Sequence, residues 1–242
     1  MAELPTSIPL PVPETDDLGR YLEDTITIDW QTPSVSDRAR DLLAGLRDAS
    51  AEARIERLFT FVRDEIAHSF DLEGESAVGS AGAGRAPAAE GFPAAFVARG
   101  IACRASEALA LGHGLCFAKS HLLVALLRFA GHPAGFCYAR LVDDERPGRF
   151  VLHGFVACRE PTRAAWILLD PRGNRGGAGE PGAIESDCRF DPPYSLAYAP
   201  DPERGESLLP FVYKRPAKRI VDFLERVPDR AALRRNLPDS IG

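Results

Sequence analysis

The residue of this sequence best placed to do chemistry is a cysteine that opens a helical segment. Cys116 follows the glycine-containing turn at 112–115, and leucines at helical spacing continue from there to Phe129. Unpaired backbone N–H groups and the helix dipole at such a position stabilise an anion, so the thiolate is favoured over the thiol. Lys119, three residues later, is expected to add a positive charge beside the sulfur. We predict that Cys116 is a nucleophile; the alternative is a small buried apolar residue.

A histidine and an aspartate lie at matched positions on two predicted strands. If residues 160–163 form a four-residue turn, antiparallel pairing places His153 directly opposite Asp170. Opposed residues project from the same face with Cβ atoms about 4.5 to 5.5 Å apart. A carboxylate at that distance accepts a hydrogen bond from an imidazole ring nitrogen. The spacing therefore predicts a histidine and aspartate pair at this edge.

Together these three residues have the types that nucleophilic catalysis needs. Cys116 supplies the thiolate, His153 acts as general base and acid, and Asp170 fixes the histidine tautomer. The backbone N–H of Cys116 is a candidate donor to the oxyanion. Zinc binding by His113, Cys116 and His121 would need awkward spacing, and no acidic run has calcium-loop spacing. We predict no metal and no cofactor.

One helix and three strands must position these residues. A strong helix is predicted from Leu115 to Phe129, followed by strands at 136–142, 150–159 and 164–170. Connections this short imply an antiparallel meander.

The remaining segments predict a single domain over residues 18–242, preceded by a flexible, proline-rich arm at 1–17. Residues 74–100 contain fifteen Gly or Ala out of 27 and predict an insertion with a short helix near 94–98. This insertion is either a surface excursion or a lid over a cleft. The other predicted elements are a strand at 25–30 and helices at 37–46, 50–66 and 216–226.

Composition narrows the class of partner. The 242 residues carry a net charge of −6, which gives no global positive field to attract nucleic acid or anionic lipid. The longest stretches without Asp, Glu, Lys or Arg are eleven residues, shorter than the roughly 20 apolar residues of a bilayer span. The N-terminus does not resemble a secretory signal, and the five cysteines form no disulfide framework. We expect a cytoplasmic protein that binds neither nucleic acid nor membrane.

Three motifs around these residues resemble the transglutaminase-like superfamily. They are the Gly114-x-Cys116 helix start with Ala118, the helix exit Leu-Leu-Arg-x-x-Gly-x-Pro, and a strand that ends in Trp-x-x-x-Asp-Pro. The resemblance covers about residues 50–70 and 104–175.

The resemblance implies a papain-like α+β fold, with the catalytic helix packed on an antiparallel sheet. In this fold Cys116 would attack an amide or thioester carbonyl. His153 would move the proton and Asp170 would orient His153. The sequence departs from the family after His153, where Gly154-Phe155 replaces a frequent Ala-Trp pair. An upstream side chain, commonly a Trp, often helps to hold the oxyanion in this family, and no equivalent is identified here.

Three functions are compatible with this pattern. The first is hydrolysis of an amide or peptide bond through a thioester acyl-enzyme, acting on a peptide, a protein or a small amide or thioester. The second is acyl transfer to an amine, which differs only in the exclusion of water and a docking place for the amine. The third is a binding module that keeps the fold without activity. The presence of all three residue types favours an enzyme.

Overall fold

The computed structural model describes residues 2–72, 91–174 and 183–242. Two short 3₁₀ helices lie at Leu18–Tyr21 and Pro202–Arg204. The α-helices of the described residues are α1 (Pro33–Leu43), α2 (Ala51–Glu65), α3 (Ala94–Arg99), α4 (Ala105–Leu111), α5 (Cys116–Phe129), α6 (Lys218–Arg226) and α7 (Arg230–Arg235). None of these helices combines the length and the apolar character that crossing a bilayer requires.

The strands of the described residues are β1 (Ala2–Glu3), β2 (Val12–Pro13), β3 (Ala67–His68), β4 (His113–Gly114), β5 (Ala134–Val142), β6 (Phe150–Glu160), β7 (Ala165–Leu169), β8 (Ser195–Leu196), β9 (Ser207–Leu208) and β10 (Phe211–Val212). One antiparallel sheet of four strands dominates the β structure, and its order is β7-β6-β5-β9. Short pairs join β1 to β8, β2 to β10 and β3 to β4. The predicted meander of three strands is confirmed as β5, β6 and β7.

Helix α5 is the centre of the fold because it is apolar around most of its circumference. All residues from Cys116 to Arg128 are buried, as expected for a helix without a polar face. It packs against β5 and β6 on one side and against α2 and α4 on another. The predicted α+β class, with this helix on an antiparallel sheet, is confirmed.

The register between β6 and β7 differs from the predicted one. Glu160 pairs with Ala165, so the turn occupies 161–164 and begins one residue later than expected. The Glu160 carboxylate accepts two backbone N–H groups inside this turn, which fixes its start. Asp170 is therefore not directly opposite His153. Because the shift in pairing is two residues, the side-chain alternation still leaves both residues on the same face.

Two N-terminal segments also differ from the sequence-based expectation. The segment expected as a flexible arm at 1–17 pairs through β1 with β8 and through β2 with β10. It is held because Leu4 and Ile8 are buried in the core. The strand expected at 25–30 is instead a turn, in which the backbone N–H of Thr25 donates to the carbonyl oxygen of Ile28.

The glycine- and alanine-rich segment at 74–100 is described only in its last part. Helix α3 confirms the short helix predicted near 94–98. Residues 73–90 lie outside the described residues, and the choice between a surface excursion and a lid falls on them. The C-terminal helix predicted at 216–226 is confirmed as α6.

Candidate active site

Cys116 is the first residue of α5, and its helix start is free of competing side chains. The N-cap residue, Leu115, provides no side-chain hydrogen bond, and the first turn contains no acidic residue. Backbone N–H groups there remain available to a negative charge on sulfur or on a substrate oxygen. The Cys116 residue is 8% exposed. The position is therefore sheltered and still reachable from solvent.

Close packing against Ala118 explains why residue 114, two positions before Cys116, is a glycine. A Cβ atom on Gly114 would lie 2.9 Å from the Cβ of Ala118. A larger residue at either position would push the incoming chain away from the first turn of α5. The spacing of Gly114, Cys116 and Ala118 thus fixes where the thiol enters the site.

His153 and Asp170 form a buried hydrogen bond, as predicted. The Nε2 atom of His153 lies 2.8 Å from Oδ2 of Asp170, and the two residues are 4% and 0% exposed. An ionised carboxylate only accepts hydrogen bonds, so Nε2 carries a proton and donates it. The other ring nitrogen, Nδ1, is left for the Cys116 thiol.

Electrostatics favour the protonated imidazole. Burial by itself lowers the pKa of His153, but the Asp170 charge and hydrogen bonds with Asp170 and Cys116 hold this pKa well above its ordinary value. A cationic imidazole next to the thiol stabilises the thiolate. The structure thus brings all three sequence-predicted residues together in one site.

Asp170 is fixed by backbone groups as well as by the histidine. The N–H of Ala197 donates to Oδ2 at 2.8 Å, and the N–H of Arg172 donates to Oδ1 at 3.0 Å. The Ser186 hydroxyl donates to the main-chain carbonyl of Asp170 at 2.7 Å. Burial raises the pKa of Asp170, but the His153 charge and these N–H groups outweigh it and hold the pKa below its ordinary value. The carboxylate stays ionised and keeps its orientation.

Sequence reasoning missed two side chains beside the site. The Tyr198 ring lies perpendicular to the imidazole of His153, with centroids 5.0 Å apart. Arg172 donates from Nε to the Tyr198 hydroxyl at 3.1 Å. Arg172 follows the Asp-Pro motif directly, so its position was a usable signal. Tyr198 lies much further along the chain, and no spacing rule pointed to it.

The packing of Phe117 on β6 explains why Gly154 follows His153, where the family often has alanine. A Cβ atom on Gly154 would lie 2.6 Å from Cδ1 of the Phe117 ring. The ring of the residue after Cys116 therefore rests on bare β6 backbone next to His153. This close approach of helix and strand required a glycine, which is otherwise unfavourable in a strand interior.

Lys119 does not take the position expected from the sequence. The residue is 0% exposed, and its ammonium group donates to the carbonyl oxygens of Arg63 and Ile66 at the end of α2. A lysine at a helix C-terminus offsets the negative end of the dipole. Burial lowers the pKa of Lys119 to about 7. Its hydrogen bonds join α5 to the end of α2, and the expected ion pair with the Cys116 sulfur is absent from the hydrogen bonds described.

The zinc alternative at His113, Cys116 and His121 has no geometric support. His121 directs Nδ1 to the carbonyl oxygen of Cys103 at 2.6 Å, and His113 directs Nδ1 to the Ser69 hydroxyl at 3.2 Å. Burial lowers the pKa of each of these histidines to about 4. Over the described residues, no group of three or more His, Cys, Asp or Glu side chains is arranged to hold a metal ion.

Trp30, the tryptophan that precedes Cys116 in the sequence, makes its contacts away from the thiol. Its indole N–H donates to the carbonyl oxygen of Leu22 at 3.2 Å. Its ring packs on Phe129, at the end of α5 opposite Cys116. The backbone N–H of Cys116 stays the candidate oxyanion donor.

Comparisons with known proteins find a family model and solved structures that match this chain. A family model described as "Transglutaminase-like superfamily" matches residues 36–171. No curated protein sequence matches significantly. A matching solved structure is described as "a Putative Cysteine Protease from Cytophaga hutchinsonii", with 13% identity and a TM-score of 0.43. The alignment covers 65% of this chain and 43% of that one, so less than half of that protein is represented here.

Proposed function

Since the chain belongs to the transglutaminase-like superfamily, we propose that it hydrolyses an amide or peptide bond through a thioester on Cys116. Membership supports a cysteine enzyme in general, and the arrangement of His153 and Asp170 supports this reaction. The hydrogen bond of 2.8 Å between Nε2 of His153 and Oδ2 of Asp170 carries the proposal. It leaves Nδ1 for the Cys116 thiol, whose hydrogen bond with His153 contributes to the raised pKa of the imidazole.

The reaction has two halves. The Cys116 thiolate attacks the carbonyl carbon, and the backbone N–H of Cys116 donates to the oxyanion. The imidazolium of His153 gives its proton to the leaving nitrogen, the C–N bond breaks, and a thioester remains. Water then attacks the thioester while His153 takes one of its protons. The carboxylic acid leaves, and the protonated imidazole and the thiolate are restored.

Asp170 acts on His153 in both halves. Its carboxylate keeps Nε2 protonated, so Nδ1 is the atom that exchanges the proton. Its charge also stabilises the imidazolium that the first half requires. A cytoplasmic location belongs to the same proposal, because all five cysteines are free thiols and a reducing compartment keeps them so.

Mass analysis of Cys116 tests this function. The protein is incubated with activated acyl esters and with glutamine-containing peptides, each with and without an added amine. We expect an acyl adduct on the peptide that contains Cys116, followed by release of the free acid. Replacement Cys116→Ala should abolish both the adduct and the release.

Each other outcome has a defined meaning. Conversion of the acyl group to an amide when amine is present would identify an acyltransferase instead of a hydrolase. A protein that forms no adduct on Cys116 with any acyl donor would be a binding module of the same fold.

A further inference from the structure

The imidazole of His153 is held on two sides. Asp170 binds one edge through Nε2, which sets the tautomer but still allows the ring to swing about that hydrogen bond. The Tyr198 ring meets the imidazole at an interplanar angle of 83° and a centroid distance of 5.0 Å. Phe155 stacks nearly parallel to the imidazole, with centroids 6.2 Å apart. The two aromatic rings therefore restrict the plane of the imidazole.

Tyr198 is itself anchored by a buried arginine. Arg172 is 2% exposed and donates from Nε to the Tyr198 hydroxyl at 3.1 Å. Its two terminal nitrogens bind both carboxylate oxygens of Asp71, and Nη2 lies 2.9 Å from Oδ1. A bidentate pair of this kind fixes direction as well as distance. Arg172, itself fixed by Asp71, thus holds the hydroxyl end of the Tyr198 ring in place.

Arg172 also binds Asp170, the hydrogen-bond partner of His153. Its backbone N–H donates to Oδ1 of Asp170 at 3.0 Å, while Ala197, the neighbour of Tyr198, donates to Oδ2. Residues 172 and 197–198 therefore bind both Asp170 and His153. They lie outside the part of the chain that the family model matches, residues 36–171.

We propose that Tyr198, anchored by Arg172 and Asp71, is a positioning residue that holds the imidazole of His153 in line with the Cys116 thiol. The inference rests on the proposed thiol chemistry. Tyr198 makes and breaks no bond in the reaction and acts through the orientation of His153. A misplacement of a reacting group by about 1 Å lowers rates by as much as about 100-fold, so a ring that prevents rotation has a measurable effect.

The test is the rate of Cys116 alkylation by iodoacetamide as a function of pH, from about 5 to about 9. The titratable and charged groups facing His153 are Cys116, Asp170 and Tyr198, with Arg172 behind the tyrosine. A loosened imidazole pairs less often with the thiolate. We expect Tyr198→Leu to move the acid limb of the profile to higher pH and to slow alkylation roughly tenfold at about pH 6.

Two milder variants distinguish the effect of the Arg172 hydrogen bond from the effect of the Tyr198 ring itself. Tyr198→Phe keeps the ring and removes the bond from Arg172, and Asp71→Asn weakens the pair behind it. Both should shift the acid limb in the same direction as Tyr198→Leu, by a smaller amount. The matched control is Tyr194→Phe, because Tyr194 is a buried tyrosine of the same segment whose hydroxyl donates to the carbonyl oxygen of Trp166. Its profile should coincide with that of the parent protein.

Specific results would overturn the proposal. A folded Tyr198→Leu protein with an unchanged profile would do so, as would a shift in Tyr194→Phe as large as that in Tyr198→Phe. If Tyr198→Leu does not fold, identical profiles for Tyr198→Phe and Tyr194→Phe overturn it equally. Failure of the thiol chemistry on which the proposed function rests looks different, because Cys116 of the parent protein would then react no faster than the other cysteines. Failure of hydrolysis alone appears as amide formation in the acylation assay and leaves these alkylation profiles unchanged.

Discussion

At the scale of single residues, the imidazole of His153 is the group on which the site depends. It lies between a carboxylate that keeps Nε2 protonated and a thiol at an uncapped helix start. Both neighbours favour the cationic ring. The ion pair of imidazolium and thiolate is therefore expected to exist before substrate arrives.

Selective alkylation should reveal this ion pair. Burial raises the pKa of Cys103 and of Cys188 to about 12, and it raises the pKa of Cys137 and of Cys158 even further. These four residues remain thiols at about pH 6, so iodoacetamide should modify Cys116 first. Peptide mass mapping after partial reaction measures the order.

The histidine variant tests the cause of this selectivity. His153→Ala removes the imidazolium and should slow Cys116 alkylation by roughly tenfold or more. Uniform slow labelling of all five cysteines in the parent protein would contradict the ion pair. An unchanged rate in His153→Ala would contradict the assignment of His153 as the base.

Asp170→Asn should change the pH dependence of acyl-enzyme formation. The Asp170 charge raises the pKa of His153, and an amide lacks that charge. The imidazolium that protonates the leaving group is lost as pH rises through this pKa, so the alkaline limb should move to lower pH in the variant. We also expect kcat/KM to fall by roughly 100-fold or more, because the wrong tautomer becomes accessible.

A matched carboxylate controls for general effects of charge loss. Asp143 is also buried and binds Arg146 at 2.6 Å. Asp143→Asn should leave the alkaline limb where it is in the parent protein. A limb that stays in place in Asp170→Asn would show that this carboxylate does not set the protonation of His153.

At the scale of elements, the contact between α5 and β6 sets the distance from thiol to imidazole. Gly154→Ala would place a methyl group 2.6 Å from Cδ1 of the Phe117 ring. The ring or the helix start must then move, and we expect Cys116 alkylation at about pH 6 to slow by roughly tenfold.

A second substitution should restore the rate. Alanine at position 117 has no δ or ε carbon to clash with the new methyl group, so the double variant Phe117→Ala with Gly154→Ala should recover part of the lost rate. Phe117→Ala alone is the control for the smaller side chain. Equal rates in the parent protein and Gly154→Ala would show that the contact does not position the thiol.

The main elements were predictable because each is encoded locally. The leucine run gives α5, and short connections give the meander of β5, β6 and β7. The register was not predictable, because the Glu160 carboxylate moves the turn by one residue through bonds to backbone N–H groups. His153 and Asp170 still meet, because a register shift of two residues between β6 and β7 leaves both side chains on the same face of the sheet.

The rest of the site depends on contacts between distant segments. The spacing of Lys119 predicts a position beside the thiol, but the end of α2 offers carbonyl oxygens that bind its ammonium group. Tyr198 reaches His153 only through the folded chain. The N-terminal arm is ordered because strands far along the sequence pair with it. No local pattern encodes such contacts.

At the scale of the whole molecule, the buried Lys119 makes stability depend on pH. Burial lowers its pKa to about 7 from an ordinary value of 10.5. Between these values the unfolded chain binds a proton that the folded chain does not, so the free energy of unfolding rises with pH across this window. The rise from about pH 7 to about pH 10 should reach a few kcal/mol.

Lys119→Met removes this titration. The variant should be less stable overall, because two carbonyl oxygens lose their donor, and its stability should rise less with pH than that of the parent. Denaturant unfolding at both ends of the window measures the difference. Lys218→Met is the control, since that side chain is 82% exposed. Parallel pH profiles for the parent protein and Lys119→Met would contradict the assignment.

The N–H of Ala197 on the Asp170 carboxylate ties the site to a segment that follows it in the chain. The same segment carries the Tyr198 ring that packs on the imidazole. A polypeptide truncated before Ala197 would therefore keep Cys116, His153 and Asp170 and lose part of the framework that orients them.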